Sequence, residues 1–216
     1  MIASFTNNFI FLKTRKTAST SVETVLSTWC SGRDIVTPFS PADEEVRRSM
    51  GGRPMNYLAE GSNEKLFFNH MTAIDVRAKL PALWQEAFKF TVERHPYERV
   101  VSRVFWWIHR RGGNPAKEFN KELEHVLRSD EYVSNRPIYC IDDRIAVDEV
   151  IVYGQLWARL GEIASRFGRT LPAELPHAKG GFRVDRRPAH EVLTDAQKER
   201  IYEATRRDFE EFGFER

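Results

Sequence analysis

The stretch that decides the fold is Asn8-Phe9-Ile10-Phe11-Leu12-Lys13-Thr14-Arg15-Lys16-Thr17-Ala18-Ser19-Thr20-Ser21. Asn8–Leu12 is short, apolar and aromatic, which suits a buried strand. A polar loop follows at once, and Val22, Val25, Leu26 and Trp29 then recur at helical spacing. Thr20 and Glu23 fit a capping box and set the expected helix start near Thr20. The segment therefore predicts strand, polar loop, helix.

The same alternation continues along the chain. Ser31 to Asn63 is rich in Gly and Pro and carries a short helical candidate at Ala42–Met50. A second apolar run, Leu66-Phe67-Phe68, reads as a strand that ends at Asn69-His70. Phe88–Val92 is a third strand candidate and stops at Glu93-Arg94-His95-Pro96. Proline suits the first turn of a helix, and Val100, Val101, Val104, Phe105 and Ile108 mark its apolar face. Pro115–Arg128 is a further amphipathic helix candidate. Val150–Tyr153 reads as a fourth strand, followed by a helix to about Phe167. Pro172 to Pro188 is irregular and basic, and Thr194 with Gln197 caps a final helix that ends near Phe212-Gly213. Strands alternating with helices predict an α/β fold, a three-layer sandwich around a mostly parallel sheet, with a P-loop-like strand–loop–helix at the N-terminus.

With 216 residues, a single domain over 1–216 is expected. The 33 Lys+Arg and 31 Asp+Glu nearly balance, which disfavours a protein that coats nucleic acid and makes any basic site local. Two cysteines, Cys30 and Cys140, exclude a disulfide scaffold and a four-cysteine zinc site. No apolar run approaches the roughly 18 residues that span a bilayer, and the first residues lack a signal-peptide layout. A soluble protein of a reducing compartment is expected, with no membrane partner.

Lys13, Arg15 and Lys16 place three cations in four positions, beside the hydroxyls of Thr14, Thr17, Ser19, Thr20 and Ser21. A helix N-terminus beyond a parallel strand presents unpaired N–H groups and a partial positive charge, so this junction suits a phosphate or sulfate. The bland alternative is a solvated helix cap. A metal-dependent P-loop is disfavoured, because that motif needs two glycines and a terminal Lys-Ser/Thr pair. Between Lys13 and Ser31 there is no glycine, and Lys16-Thr17 comes early in the loop.

Phe11–Ser21 resembles the 5′-phosphosulfate loop of sulfotransferases that use 3′-phosphoadenosine 5′-phosphosulfate, and is closest to the carbohydrate branch with the heparan sulfate 2-O-sulfotransferases. Phe90–Ser102 is similar to the family's second motif, with Arg94 at a strand end and Ser102 in the following helix. Weaker similarity runs through Val150–Gly168 and Asp208–Phe214. The resemblance implies that Lys13, Arg15, Lys16, Thr17, Ala18, Ser19, Thr20 and Ser21 hold the 5′ end of the donor. Arg94 and Ser102 would then hold its 3′-phosphate, Arg94 through charge-assisted bonds. Tyr153 matches a tyrosine near adenine, although Gly154-Gln155 replaces the usual acidic residues. Arg183, in Lys179–Arg183, matches a C-terminal loop that closes over the donor.

Sulfuryl transfer places negative charge on the bridging oxygen of the leaving phosphate, and the resemblance assigns Lys16 to that oxygen. The sulfuryl group carries less charge than a phosphoryl group, so no metal is expected. The acceptor hydroxyl needs a base, and neutral imidazole suits it. Of His70, His95, His109, His125, His177 and His190, His70 matches the branch's base; His95 is the rival, within the second motif, where it would orient the turn. Trp106 and Trp107 could offer one sugar-stacking face, with core packing favoured. The expected function is transfer of a sulfuryl group from 3′-phosphoadenosine 5′-phosphosulfate to a hydroxyl, with a carbohydrate as acceptor and 3′,5′-adenosine bisphosphate as product. Alternatives are a P-loop-like nucleotide kinase or NTPase and a non-catalytic module for anionic glycans. A cytoplasmic enzyme of bacterial origin is expected; oligomeric state and any pairing of Cys30 with Cys140 stay open.

Overall fold

The computed structural model describes residues 1–56, 66–129, 133–176 and 181–216. The fold is α/β. Its elements are β1 Ile2–Ser4, β2 Phe9–Phe11, α1 Ser19–Ser27, β3 Ile35–Val36, α2 Pro41–Ser49, α3 Ala73–Lys79, α4 Pro81–Glu86, β4 Phe88–Glu93, α5 Pro96–Arg110 and α6 Pro115–Leu127. They continue with α7 Arg136–Tyr139, β5 Cys140–Ile141, β6 Arg144–Ile145, β7 Glu149–Val152, α8 Leu156–Arg166, α9 Ala189–Val192 and α10 Asp195–Phe212.

The chain forms two compact units. The first comprises Met1–Thr14, Ala18–Glu93 and Arg136–Ala178; the second comprises Arg15–Thr17, Arg94–Asn135 and Lys179–Arg216.

The first unit holds a five-stranded sheet in the order β3-β1-β2-β4-β7. β2, β4 and β7 run parallel, with Phe11 opposite Phe90 and Glu93 opposite Val152. β1 is antiparallel to both β2 and β3. The sheet is therefore mixed, which corrects the expectation of a mostly parallel one. The departure comes from β1, whose three buried residues show no readable period. A tight turn reverses the chain after β1: Asn8 takes φ 54°, and Asn7 donates to the Ser4 hydroxyl at 3.0 Å. Asparagine tolerates that left-handed conformation better than most residues.

Phe9, Phe11, Phe90, Val92 and Ile151 alternate onto one sheet face and pack with Val22, Val25, Leu26 and Trp29 of α1 and Leu160 and Ile163 of α8. Each such side chain contributes about 1.5–3 kcal/mol when fully buried. On the opposite face Ile10 and Thr91 are equally buried.

Leu66–Phe68 is not a strand but a bend, which is a second correction. Phe67 is buried while Leu66 and Phe68 are more than two-fifths exposed, so the run plugs one aromatic into the unit without a ladder partner. The chain then turns at His70, with φ 62°.

In the second unit, Tyr97, Val100, Val101, Val104, Phe105 and Ile108 of α5 pack with Leu123 and Val126 of α6 and Ile201 and Phe209 of α10. Pro96 occupies the first turn of α5, where its missing N–H costs nothing. Thr194 and Gln197 close a full capping box on α10, and Gly213 ends that helix at φ 65°.

Candidate functional site

The carboxyl ends of β2, β4 and β7 emerge at one edge of the first unit's sheet, the edge at which open parallel sheets bind ligands. The exit of β2 is fastened to β4. Thr91 donates its hydroxyl to the Leu12 carbonyl at 2.7 Å, and Thr14 donates its own to the Val92 carbonyl. Beyond this point Lys16 and Ala18 adopt left-handed backbone conformations, with φ 62° and 58°. For L-residues this costs roughly 1–2 kcal/mol each, and such strain concentrates at ligand sites.

Ala18 is the residue that enters α1, and no side chain caps the helix. The expected Thr20–Glu23 capping box is absent, and the helix begins at Ser19. Ser19 turns its hydroxyl back to the Thr14 carbonyl at 2.5 Å. The first-turn N–H groups of α1, at Ser19, Thr20 and Ser21, therefore receive no cap from the N-cap residue, whose methyl cannot accept. Backbone donors converging from a left-handed turn into a helix start make a concavity for an anion.

Glu23 is fully buried and acts as a counterion rather than a cap. Its carboxylate lies 3.0 Å from the Lys13 ammonium, 3.1 Å from Arg47 and 3.3 Å from the Met1 amine, and it accepts the Thr37 hydroxyl at 3.0 Å. Burial would raise its pKa, but Lys13, the amine and Arg47 together outweigh that and hold the carboxyl below its ordinary range. Lys13 also lies 3.9 Å from the centre of the Phe39 ring. Its ammonium thus faces the interior beneath the loop.

His70 stands against the stem of the loop, with Nδ1 2.8 Å from the Lys13 carbonyl oxygen. A carbonyl only accepts, so the neutral ring carries its proton on Nδ1 and leaves Nε2 as the basic nitrogen. Tyr153 follows β7 directly, opens a short 3-10 turn over Tyr153–Gln155 and is 39% exposed.

The second unit contains the middle of the loop. Asn135 clamps the Arg15 backbone from both sides, accepting from its N–H at 2.9 Å and donating to its carbonyl at 3.1 Å. Thr17 is buried. The Lys16 ammonium lies 4.2 Å from the centre of the Phe182 ring and 5.5 Å from that of Trp106. The ring faces attract the ammonium through their quadrupoles.

Arg94 donates to Glu98 Oε2 at 3.0 Å, and Arg183 donates to the same oxygen at 2.6 Å. Glu98 Oε1 accepts from the Ala189 N–H at 2.6 Å. Burial would raise the Glu98 pKa, but the Ala189 and Arg183 bonds and both guanidinium charges outweigh that and hold it below the usual range. Ser102 is buried one turn beyond Glu98, on the same face of α5. Lys179 and Gly180 lie outside the described residues, as does His177.

His95 caps α5. Its Nδ1 accepts from the Tyr97 N–H at 3.2 Å, and its Nε2 meets the Glu215 carbonyl at 2.8 Å. Burial lowers its pKa, so the neutral ring is favoured. Both ring nitrogens are thus engaged, one in the helix turn and one by the C-terminal segment.

Trp107 packs against the core of the second unit, while Trp106 stands half-buried between cations. The Arg103 and Arg110 guanidinium carbons lie 5.1 and 5.3 Å from the Trp106 ring centre. Arg103, Trp106, Trp107 and Arg110 follow helical spacing and form one stripe on α5.

Sequence reasoning missed the clustering on Glu98, which stands four residues after Arg94. It also missed Asn135 and Phe182, which have no local signal. Cys30 and Cys140 form no disulfide, and burial pushes the Cys30 thiol up to about 12. Among the described residues no group of three or more His, Cys, Asp or Glu side chains is arranged to hold a metal ion. Nor is any helix there long and apolar enough to cross a membrane. Comparison with protein-family models, curated proteins and solved structures finds no match for this chain.

Proposed function

We propose that this protein is a sulfotransferase that moves a sulfuryl group from 3′-phosphoadenosine 5′-phosphosulfate to a hydroxyl, with a carbohydrate as acceptor. The observation that carries the reading is the entrance to α1: a helix start without a side-chain cap, reached through left-handed Lys16 and Ala18. Strained non-glycine backbone is costly, and successive N–H groups at such a turn into a helix start suit an anion. The finer fold reading, a three-layer sandwich with a P-loop-like strand–loop–helix, goes with this proposal and draws on the path from β2 into α1.

In the proposed reaction the acceptor oxygen attacks sulfur in line with the bridging oxygen of the donor. The new S–O bond forms as the bridging S–O bond breaks, and that electron pair stays on the phosphate of 3′,5′-adenosine bisphosphate. His70 Nε2 takes the hydroxyl proton, which its Nδ1 bond to Lys13 favours by fixing the tautomer. Lys16 neutralises the bridging oxygen as a point charge on a long, flexible stem. Thr17, Ala18, Ser19, Thr20 and Ser21 hold the 5′ end with Arg15. Arg94, Ser102 and Arg183 hold the 3′-phosphate, and Tyr153 lies by the adenine. Lys13 supports the loop from below through Glu23. The acceptor class rests on Trp106, whose half-buried face between Arg103 and Arg110 suits a sugar ring. A cytoplasmic location in a bacterium belongs to the same proposal; the two cysteines that form no disulfide bear on its reducing compartment alone.

The test is a thermal melt. Millimolar 3′,5′-adenosine bisphosphate should raise the melting temperature by several degrees, about 2.7 kcal/mol at 100 times Kd, whereas ATP with magnesium should not. The reverse pattern would point to a nucleotide kinase or NTPase. The Trp106 stripe also suits a non-catalytic glycan-binding module; glycan retention without transfer of labelled sulfuryl from the donor would select it.

A further inference from the structure

One carboxylate in the second unit gathers three separate segments. Glu98 Oε2 takes Arg94 from the turn before α5 and Arg183 from the segment before α9, while Oε1 takes the Ala189 N–H that opens α9. Arg183 is further fixed in plane, because its Nε donates to the Asp185 carbonyl at 2.9 Å and its Nη2 to the Arg187 carbonyl. The Arg94, Arg183 and Glu98 side chains are each no more than a quarter exposed, so this is not a solvated surface pair. Ser102 lies on the same helix face, one turn along.

We propose that Glu98 is a positioning residue that sets Arg94 and Arg183 side by side, making a two-guanidinium clamp that distinguishes a 3′-phosphate from a 3′-hydroxyl. The assignment rests on the donor reading above. A phosphate monoester carries about −1.5 to −2 at neutral pH, and two guanidinium groups on one carboxylate leave a net positive charge to meet it. Arginine side chains lose substantial rotamer freedom when they are ordered by a ligand. A carboxylate that orders both beforehand removes that cost from the binding step. The opposite view, that Glu98 competes with the phosphate for the two arginines, predicts the opposite sign for its removal.

The test is calorimetric titration of the full chain and of Glu98→Gln, each with 3′,5′-adenosine bisphosphate and with adenosine 5′-monophosphate. Glutamine keeps an acceptor for the Ala189 N–H but loses the charge that holds both arginines. The bisphosphate is expected to bind about tenfold more weakly to Glu98→Gln, with the monophosphate within about twofold of wild type. Glu98→Asp keeps the charge but withdraws the carboxylate from the two guanidinium groups, and should give the same selective loss. It decides the matter if Glu98→Gln does not fold. Unchanged or tighter bisphosphate binding in these variants overturns the assignment, as does an equal loss for both nucleotides. A wild-type protein that binds neither nucleotide overturns the donor reading itself, and the assignment with it.

Discussion

His70 Nδ1 and the carbonyl oxygen of Lys13 lie 2.8 Å apart, at the point where β2 gives way to the loop. The bond fixes both the tautomer and the orientation of the imidazole relative to the loop stem, the role a backbone carbonyl commonly plays for a working histidine. It holds even though the preceding run, Leu66–Phe68, is a bend rather than the strand expected to carry His70.

Replacing His70 by Ala should lower the transfer rate by about 10²–10⁴-fold, the usual contribution of a general base, with affinity for 3′,5′-adenosine bisphosphate within about twofold of wild type. Single-turnover kinetics beside a binding titration separates the two. A rate that stays at the wild-type level would move the base elsewhere.

Lys16→Ala should lose about 10²–10³ in rate, as when one donor to a developing charge is removed, and should lose less than tenfold in product affinity. Lys16→Arg should recover only part of the rate, because a planar fork cannot follow the charge as a point ammonium does. Full activity in either variant would exclude Lys16 from the leaving-group role.

Glu23→Gln leaves Lys13 and Arg47 buried beside a neutral side chain, and should destabilise the fold by about 3–5 kcal/mol. Urea denaturation monitored by tryptophan fluorescence measures this. A loss below about 1 kcal/mol would mean that water reaches the network.

The pH dependence of stability has two windows. Burial holds the His95 pKa below its usual value near 6.5, so the unfolded chain binds this proton first. Its contribution is full above that value and falls as the pH drops toward the folded-state pKa. Glu98 is also held low, so its contribution is full above the ordinary carboxylate range and disappears only in more acidic solution. His95→Asn keeps a capping acceptor without a titrating ring, and should flatten the stability curve below about pH 6.5. An unaltered slope in that variant would assign the window to another group.

Much of the path from β2 through the loop to α1 was legible, because an aromatic run, a polar interval and a helical stripe each carry their own period. The helices from Pro96 and to Phe212 were legible for the same reason, with Pro96 and the Thr194–Gln197 box marking their starts. The direction of the sheet was not. β1 has three residues and β3 two, too few for a period, and the turn that makes β1 antiparallel depends on one left-handed asparagine. Glu23 was misleading for a different reason. A glutamate three residues after a threonine has the spacing of a capping box, and nothing local shows that Arg47, 24 positions later, arrives as its partner. Glu98 shows the same limit: its pairing with Arg94 is helical spacing, but Arg183 lies 85 positions away.

The network beneath the loop ties the history of one position to that of two others. With Lys13 and Arg47 both against Glu23, an exchange at any one of the three leaves an uncompensated charge in the interior, whereas a concerted change to well-packed apolar residues need not. Lineages of this fold should therefore alter these positions together or not at all, and the loop's first lysine is inherited as part of its foundation.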